Sequence, residues 1–514
     1  MNSQTLNNTG KLTKKELIVL IISAVITITL VSACSPLYPF NPWDDANCFF
    51  TLGRGIIHGF VPYRDLYEQK GPLLYFIYAL AALISEKTFV GAWIFECIAA
   101  SVYAIYSWKI VKLFVRPSKT SLVLIPVMIG CVYTLKMFNF GGNAEELCFP
   151  LLTIALFIML RSMVVNDSLP TGTEALLCGV ITAALFWIKY TFLGFFVGFI
   201  LILLVYAFIK KDFKKLLSLI WRYLVGFAVL SAPIIIYFLA NGALNSLWEA
   251  YFYNNMFLYH DLAKPEGLGS IPIIRNIYFP LASLYISFKN FPAFGILLLL
   301  SLISVFLVDK KYRKRSVITF FSTFATMLLF TFTKASFIYY YGYILAYCFC
   351  FALIIAVKLI NKLTEIFKNH ASFFSLISTI LLSLIYLLLI ITCKNMYLIF
   401  KPRDFLSQFR IAETIKETPD AKLLTYDVMD SGFFTSADIM PSNRFYCFLN
   451  IETTYPAILE EQNSLIESGY YDYIVTSYYF EADWDNYELV QTETGEYADA
   501  YELYTEGYKL YKRI

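Results

Sequence analysis

Two pairs of consecutive acidic residues stand beside apolar stretches of this sequence. Asp44 and Asp45 follow the first apolar run, and Glu145 and Glu146 directly precede a later one. A carboxylate held close to a substrate can accept a proton during catalysis, but acids are also favoured in the first turn of a helix. Each pair taken alone is open to both interpretations. The recurrence beside two apolar stretches favours a functional site if both pairs lie on one side of a membrane.

The composition indicates what must position these acids. Of the 514 residues, 58% are hydrophobic and 15% are charged, with a net charge of +3. Soluble globular proteins are about half apolar and about a quarter charged. These values argue against a purely soluble enzyme, a disordered chain and a nucleic-acid-binding protein. The apolar runs end near residue 395, so we predict a membrane domain over 1–395 and a soluble domain over 396–514.

Membrane-spanning helices need about 20 mostly apolar residues. About eleven such spans are predicted, which makes the chain a mainly α-helical polytopic membrane protein. They are 16–34, 89–110, 120–138, 145–164, 173–189, 191–209, 217–240, 293–308, 316–333, 337–359 and 372–393. Basic clusters then alternate so that the N-terminus is cytoplasmic and residues 396–514 are extracytoplasmic. This alternation requires that the short apolar stretch 72–85 does not cross, so we predict that it lies along the outer interface.

The outer loops carry the polar chemistry. Residues 35–88 form a large first outer loop, with amphipathic helices at about 44–57 and 72–85 joined by a turn at Gly59 and Pro62. A second outer segment, 241–292, combines aromatic residues with Asn, Asp and Glu. Such side chains suit sugar faces and hydroxyls, although an aromatic belt at the lipid interface explains them equally.

Three motifs of the first loop follow one another in a recognisable order. They are Asp44-Asp45-Ala46-Asn47, Gly59-Phe60-Val61-Pro62-Tyr63-Arg64-Asp65 and Lys70-Gly71-Pro72-Leu73-Leu74-Tyr75. This order resembles GT-C membrane glycosyltransferases of the protein O-mannosyltransferase and lipid A aminoarabinose transferase type. Weaker matches follow at Glu145-Glu146, Trp187-Ile188-Lys189-Tyr190 and Tyr339-Tyr340-Tyr341-Gly342-Tyr343, so the resemblance covers roughly residues 16–345.

The resemblance implies a reaction and a set of residues. A sugar on a polyprenyl-phosphate carrier is attacked by an acceptor hydroxyl with inversion at the anomeric carbon. An outer-loop carboxylate takes the proton of that hydroxyl; Asp44 is the first candidate for this base and Asp45 the second. The acceptor is a protein, a lipid or a cell-envelope polymer. The implied catalytic acids are Asp44, Asp45 and Glu145, the donor-phosphate cations are Lys70, Lys189 and Arg64, and the substrate contacts are Tyr63, Asp65, Glu68, Glu146, His260 and Tyr340.

The sequence departs from the family pattern at two places. Gln69 stands where relatives often have Glu before the lysine, and Glu145 or Glu146 stands where they often have Asp. The acids could hold a divalent metal, but the resemblance favours a site without a cofactor. No nucleotide-binding fingerprint is present. Glu96, inside a predicted span, is a functional candidate or simply pairs with a nearby hydroxyl.

The C-terminal region changes pattern near residue 400. Helices are predicted at about 409–415 and 458–468, and strands at 421–426, 473–476, 488–490 and 501–504. Together they form a small extracytoplasmic α/β domain. It binds the acceptor or only caps the site.

A different class of function stays open as the alternative. A transporter or a lipid or polysaccharide flippase also has many spans, and is expected to carry internal repeats and ionisable residues near the bilayer midplane. Here the acids concentrate in outer loops and no repeat is visible in the sequence. A non-catalytic scaffold leaves the first-loop motifs unexplained.

Overall fold

The structure is a computed structural model. It describes residues 10–138, 140–258, 272–330, 344–494 and 507–514. The predicted substrate contacts His260 and Tyr340, and the predicted strand at 501–504, lie outside these residues.

Helices dominate the first part of the chain, as predicted. They are α1 (Lys14–Val31), α2 (Asp44–Ile57), α3 (Pro72–Ile84), α4 (Val90–Phe114), α5 (Leu124–Tyr133), α6 (Ala144–Met159), α7 (Gly172–Lys189), α8 (Gly194–Lys210), α9 (Phe213–Ala240), α10 (Leu244–Leu247), α11 (Pro272–Asn290), α12 (Pro292–Phe306), α13 (Lys310–Phe330), α14 (Ala352–Ile366) and α15 (Ala371–Ile391). Helix α6 continues as a π-helical segment, Leu160–Val165, and a second one spans Trp248–Leu258.

The chain is a multi-pass membrane protein. Among the described residues, six helical stretches are long and apolar enough to cross a bilayer. They are Val90–Phe114, Ala144–Val165, Gly172–Lys210, Phe213–Ala240, Ala346–Ile366 and Lys368–Ile391. The count of about eleven stays a prediction, because helices such as α1 and α13 begin with several charged residues, and α5 is short.

Several basic residues that were predicted to be cytoplasmic form ion pairs between helices. Lys112 of α4 contacts Glu16 of α1 at 2.8 Å. Arg315 of α13 and Lys210 of α8 both contact Asp167, at 2.6 and 3.1 Å. Helices far apart in sequence therefore place basic residues on shared acids, and the sidedness of the membrane stays a prediction.

The first outer loop folds as two packed helices, α2 and α3. The Gly53 Cα lies so close to α3 that an added Cβ would stand 2.5 Å from the Tyr78 carbonyl carbon. Helix α3 has 13 residues, which corresponds to about 20 Å and falls short of the roughly 30 Å hydrocarbon core. It packs against α2, α4 and α7.

The C-terminal region forms a small α/β domain. Its helices are α16 (Ser407–Ile415), α17 (Phe433–Ser436) and α18 (Ala457–Glu467), and its strands are β1 (Leu423–Thr425), β2 (Tyr473–Ser477), β3 (Tyr487–Glu493) and β4 (Tyr508–Arg513). The sheet order is β1-β2-β4-β3, with β1 parallel to β2 and the other neighbours antiparallel. The prediction missed β4, and the predicted strand at 488–490 falls within β3, at one edge of the sheet.

The sheet buries both of its faces. Leu423, Tyr473 and Val475 belong to the large core that continues into the membrane domain. Their alternating neighbours Leu424 and Ile474 belong to a separate small core within the C-terminal domain. Because successive strand residues point to opposite faces, one face attaches the domain to the rest of the chain.

Candidate active site

The Asp44–Asp45 pair lies inside the first turn of α2. Trp43 occupies the N-cap position, so both carboxylates follow the cap and are favoured by the positive end of the helix dipole. Consecutive helical residues project about 100° apart. The two side chains consequently reach different partners, which an N-terminal helix preference alone does not explain.

Asp45 faces a lysine. The Lys70 ammonium lies 3.9 Å from the Asp45 carboxylate and 3.5 Å from that of Glu68. It also stands 5.6 Å from the centre of the Phe49 ring, one turn after Asp45 on α2. Burial raises the pKa of Asp45, and the attraction of Lys70 and Lys189 opposes that rise.

Lys189, at the end of α7, joins the same group of charges. Its ammonium lies 2.5 Å from the Glu145 carboxylate at the start of α6. Both Lys189 and Glu145 act electrostatically on Asp45. We call Asp45, Glu68, Lys70, Glu145 and Lys189 the lysine cluster. It unites residues from the first loop, the second acidic pair and the end of a long helix.

The backbone around Gly71 explains how the two lysines come together. The Gly71 N–H donates to the Ile188 carbonyl at 3.0 Å. A Cβ at Gly71 would stand 2.0 Å from the Trp187 carbonyl oxygen, so only glycine allows this approach. Gly71, directly after Lys70, thus presses against Trp187 and Ile188, directly before Lys189.

Two buried tyrosines hold the Lys70 loop from the other side. The hydroxyls of Tyr63 and Tyr75 donate to the Lys70 carbonyl at 2.6 and 3.0 Å. Tyr75 also donates to Glu68, whose carboxylate accepts the Lys70 N–H at 2.7 Å. Tyr63, a predicted substrate contact, is fully buried and supports the loop.

The second acidic pair divides in the same way. Glu145 reaches Lys189, whereas Glu146 hydrogen bonds to Glu96 on α4. The Gly142 N–H donates to both Glu96 and Glu146, at 2.7 and 3.2 Å, and the Ser32 hydroxyl donates to Glu96 at 2.7 Å. Both acids of this pair are buried. Glu96 therefore does contact a hydroxyl, that of Ser32. It also contacts Glu146, a predicted substrate contact.

Asp44 faces the C-terminal domain. The Ser431 hydroxyl donates to the Asp44 carboxylate at 2.6 Å. Sequence reasoning missed this partner. The only local signal is the turn-forming run Asp430-Ser431-Gly432, which says nothing about what it contacts.

Arg64 and Asp65 lie at a separate place. The Arg64 guanidinium donates twice to the Asp65 carboxylate, both times at 2.8 Å, and once to the Asn241 carbonyl at 2.8 Å. The pair holds the pKa of Asp65 below its usual range. Together with His58 and Arg444 these residues line an open groove of about 480 Å³. None of these groove residues is a member of the lysine cluster.

The π-helical segment after α10 braces the first loop. Asn254 donates to the Tyr67 hydroxyl at 2.6 Å, and Asn255 donates to the Gln69 carbonyl at 2.7 Å. These asparagines were candidates for sugar contacts or for an interfacial belt, and the structure has them supporting the lysine loop. Within the described ranges, no group of three His, Cys, Asp or Glu side chains is placed to hold a metal ion.

Comparison with solved structures gives the class of fold. No protein-family model matches the sequence, and no curated protein matches it. ArnT from Cupriavidus metallidurans in the apo state aligns with a TM-score of 0.55 at 12% identity, over 96% of this chain and 97% of that one. ArnT bound to undecaprenyl phosphate aligns with a TM-score of 0.52 at 12% identity, over 97% and 98%.

The fold of this chain is accordingly that of ArnT, as the resemblance of the first-loop motifs had indicated. Its particular likeness is to ArnT over nearly the whole length of both chains, including the C-terminal domain. The oligosaccharyltransferase of Archaeoglobus fulgidus aligns over 90% of this chain and 69% of its own, at 13% identity and a TM-score of 0.37, which is too low to argue from.

Proposed function

We propose that this chain is an inverting glycosyltransferase that moves a sugar from a polyprenyl-phosphate carrier to an acceptor hydroxyl on the outer face of a membrane. The observation that carries the proposal is the division of one acid pair between two partners: Asp45 faces Lys70, and Asp44 faces away toward Ser431. The fold supports the donor class, because one ArnT structure of this fold holds undecaprenyl phosphate.

Inversion determines where the base must stand. The acceptor oxygen attacks the anomeric carbon from the face opposite the leaving phosphate, so the base and the phosphate-binding cations lie on opposite sides of the sugar. Lys70 and Lys189 lie on the Asp45 side of α2. Asp44 projects about 100° away. Asp44 therefore takes the acceptor proton, and Asp45 aligns Lys70.

The lysine cluster suits a leaving phosphate. As the bond from the acceptor oxygen to the anomeric carbon forms, the bond to the phosphate oxygen breaks, and negative charge grows on the polyprenyl phosphate. Preorganised cations stabilise such charge without donating a proton. Glu68 and Glu145 hold the two ammonium groups in place, and their lysine stems can lie along apolar surroundings while the charge reaches the lipid headgroup.

The sidedness belongs to the same proposal. In this proposal the basic helix ends and the N-terminus face the cytoplasm, and the acid pairs and the C-terminal domain face outward. A transferase using a lipid-carried donor needs no nucleotide at that outer face. The acceptor is a protein, a lipid or a cell-envelope polymer that presents a hydroxyl.

The test is transfer by the purified, full-length protein with a panel of polyprenyl-phosphate sugars. We expect release of polyprenyl phosphate with at least one donor, and glycosylation of an acceptor in membrane extracts. The Asp44→Asn variant should still insert and fold, yet release polyprenyl phosphate about a thousandfold more slowly than the wild type, or slower still. Translocation of a lipid-linked sugar across vesicles without release would overturn the proposal in favour of a flippase.

A further inference from the structure

One face of α2 is bound along its whole length by the C-terminal domain. Asp44 accepts the Ser431 hydroxyl, Thr51 donates to Asp430, and Arg54 donates to the carbonyls of Phe434 and Ile439 at 3.1 and 3.3 Å. The spacing of Asp44, Thr51 and Arg54 is that of one helical stripe. The segment around Ser431 therefore lies against the catalytic helix α2, although Ser431 is 387 residues from Asp44 in the chain.

The turn that carries Ser431 is fixed in three ways. The Asp430 carboxylate is fully buried and accepts the Gly432 N–H at 2.9 Å. Gly432 has a φ of 98°, and a Cβ there would stand 2.4 Å from the Phe40 ring. Gln408, also fully buried, donates to the Ser431 carbonyl at 3.3 Å. A left-handed backbone pressed against an aromatic ring leaves room for glycine alone.

Ser431 itself is well placed to act on a neighbouring carboxylate. It is 2% exposed, so water competes little for its hydroxyl. A hydrogen bond from a buried hydroxyl to a carboxylate is charge-assisted and stronger than one between neutral groups. It also limits the rotation of the Asp44 side chain. A base needs such a fixed orientation if the acceptor hydroxyl is to meet it at hydrogen-bond distance.

We infer that Ser431 is a positioning residue for the base, so that the C-terminal domain supplies part of the active site. This inference rests on the proposed function. The membrane domain provides Asp44 and the phosphate-binding lysines, and the domain after residue 396 provides the hydroxyl that aims Asp44. The domain is then needed for the chemical step itself, in addition to any contact that it makes with the acceptor.

The test compares Ser431→Ala with Ser431→Thr and with a matched control in the full-length protein. Ser436→Ala is the control, because Ser436 is equally buried in the same segment and donates only to the Gln408 and Phe433 carbonyls, both within the C-terminal domain. We expect Ser431→Ala to lower kcat by roughly tenfold to a hundredfold, with the KM for the polyprenyl-phosphate sugar unchanged. Ser431→Thr keeps a hydroxyl and should recover most of the rate, and Ser436→Ala should match the wild type.

The pH profile separates positioning from a merely structural role. A hydrogen bond donated to the ionised form of a carboxylate favours that form, so Ser431→Ala should move the acidic limb of kcat/KM to higher pH. The unfolding temperatures of Asp44→Asn, Ser431→Ala and the double variant should be non-additive, since the two residues share one contact. This second readout needs no turnover.

The outcomes distinguish the two proposals. Wild-type turnover combined with an unaltered rate and pH profile in Ser431→Ala overturns the positioning role and leaves the proposed function standing. Additive unfolding temperatures also overturn it, because the Ser431–Asp44 contact would then be absent. Failure of the wild type to release polyprenyl phosphate from any donor overturns the proposed function, and the positioning role with it.

Discussion

The first turns of α2 and α6 carry the same sequence signal and end in different surroundings. Each begins with two consecutive acids, and in each one acid meets a lysine: Asp45 meets Lys70, and Glu145 meets Lys189. The remaining acids differ. Asp44 meets a hydroxyl beside the lysine cluster, whereas Glu146 meets another carboxyl group, that of Glu96, in a buried network.

In each pair, the partner of the acid that does not meet a lysine decides what that acid can do. A carboxylate that accepts a hydroxyl hydrogen bond keeps its charge and can take a proton from a substrate. Two carboxyl groups that hydrogen bond to each other share a proton, and Glu146 is only 3% exposed. The first arrangement suits catalysis, and the second fixes the Gly141-Gly142 turn so that Glu145 points toward Lys189.

The largest expected effect is the difference between neutralising Asp44 in the first pair and neutralising Glu146 in the second. Asp44→Asn removes the proposed base and should lower kcat by about a thousandfold or more, at the upper part of the range for general bases. Glu146→Gln keeps a hydrogen bond to Glu96, because an amide can replace a protonated carboxyl, and should stay within about threefold of the wild type. Single-turnover release of polyprenyl phosphate measures both. Equal losses in the two variants would erase the distinction between the pairs.

The lysine partners should give a smaller loss. Lys70→Met and Lys189→Met each remove one cation from the leaving phosphate, and kcat should fall by roughly tenfold to a hundredfold. Lys87→Met is the matched control, since Lys87 contacts Asp438 at the surface and its side chain is 67% exposed. If both cluster variants turned over at the rate of the control, the phosphate would have to bind elsewhere, with the Arg64 groove as the next place to test.

Packing between the two lysine segments should be felt mainly in stability. Gly71→Ala places a methyl group against the Trp187 carbonyl, and overpacking of this kind costs about 1–3 kcal/mol. The unfolding midpoint should fall, and the rate should fall with it as Lys70 shifts away from Lys189. A variant with wild-type stability and rate would mean that the two segments do not touch as described.

The sequence allowed the elements to be predicted but not the contacts between distant ones. The first-loop helix predicted at 44–57 spans Asp44–Ile57, because acids in a first turn followed by an apolar period are strong local signals. The lysine cluster was within reach because its members stand in ordered motifs. Strand β4 was missed: its lysines and arginine interrupt the apolar pattern, and its pairing with β2 and β3 is non-local.

The partners of Asp44 and Glu146 were out of reach for a physical reason. Ser431 is 387 residues from Asp44. Glu96, the partner of Glu146, is likewise distant in sequence, 46 residues from the Gly142 that donates to it. A single sequence records no pairing between such positions, and Ser431 stands in a short run with no chemical signature. Only the docking of one sheet face onto the membrane domain brings that run to α2. Tyr63 illustrates the converse, since its motif suggested substrate contact while its burial makes it a support.

The smallest expected effect concerns Glu452, a partly buried acid of the C-terminal domain that lies near Asp427. Burial raises the pKa of Glu452 to about 7, although its carboxylate accepts the Leu449 N–H at 3.2 Å. The folded state then holds a proton that the unfolded state releases near pH 4.5. Stability therefore decreases as pH rises from about 4.5 to about 7, by about 1 kcal/mol after allowance for partial exposure.

Glu452→Gln should flatten the pH dependence of the unfolding free energy over that interval. Glu460→Gln, which changes an acid of the neighbouring helix α18, should leave that slope unchanged. A wild-type slope of the opposite sign would mean that Glu452 is charged and paired in the folded domain.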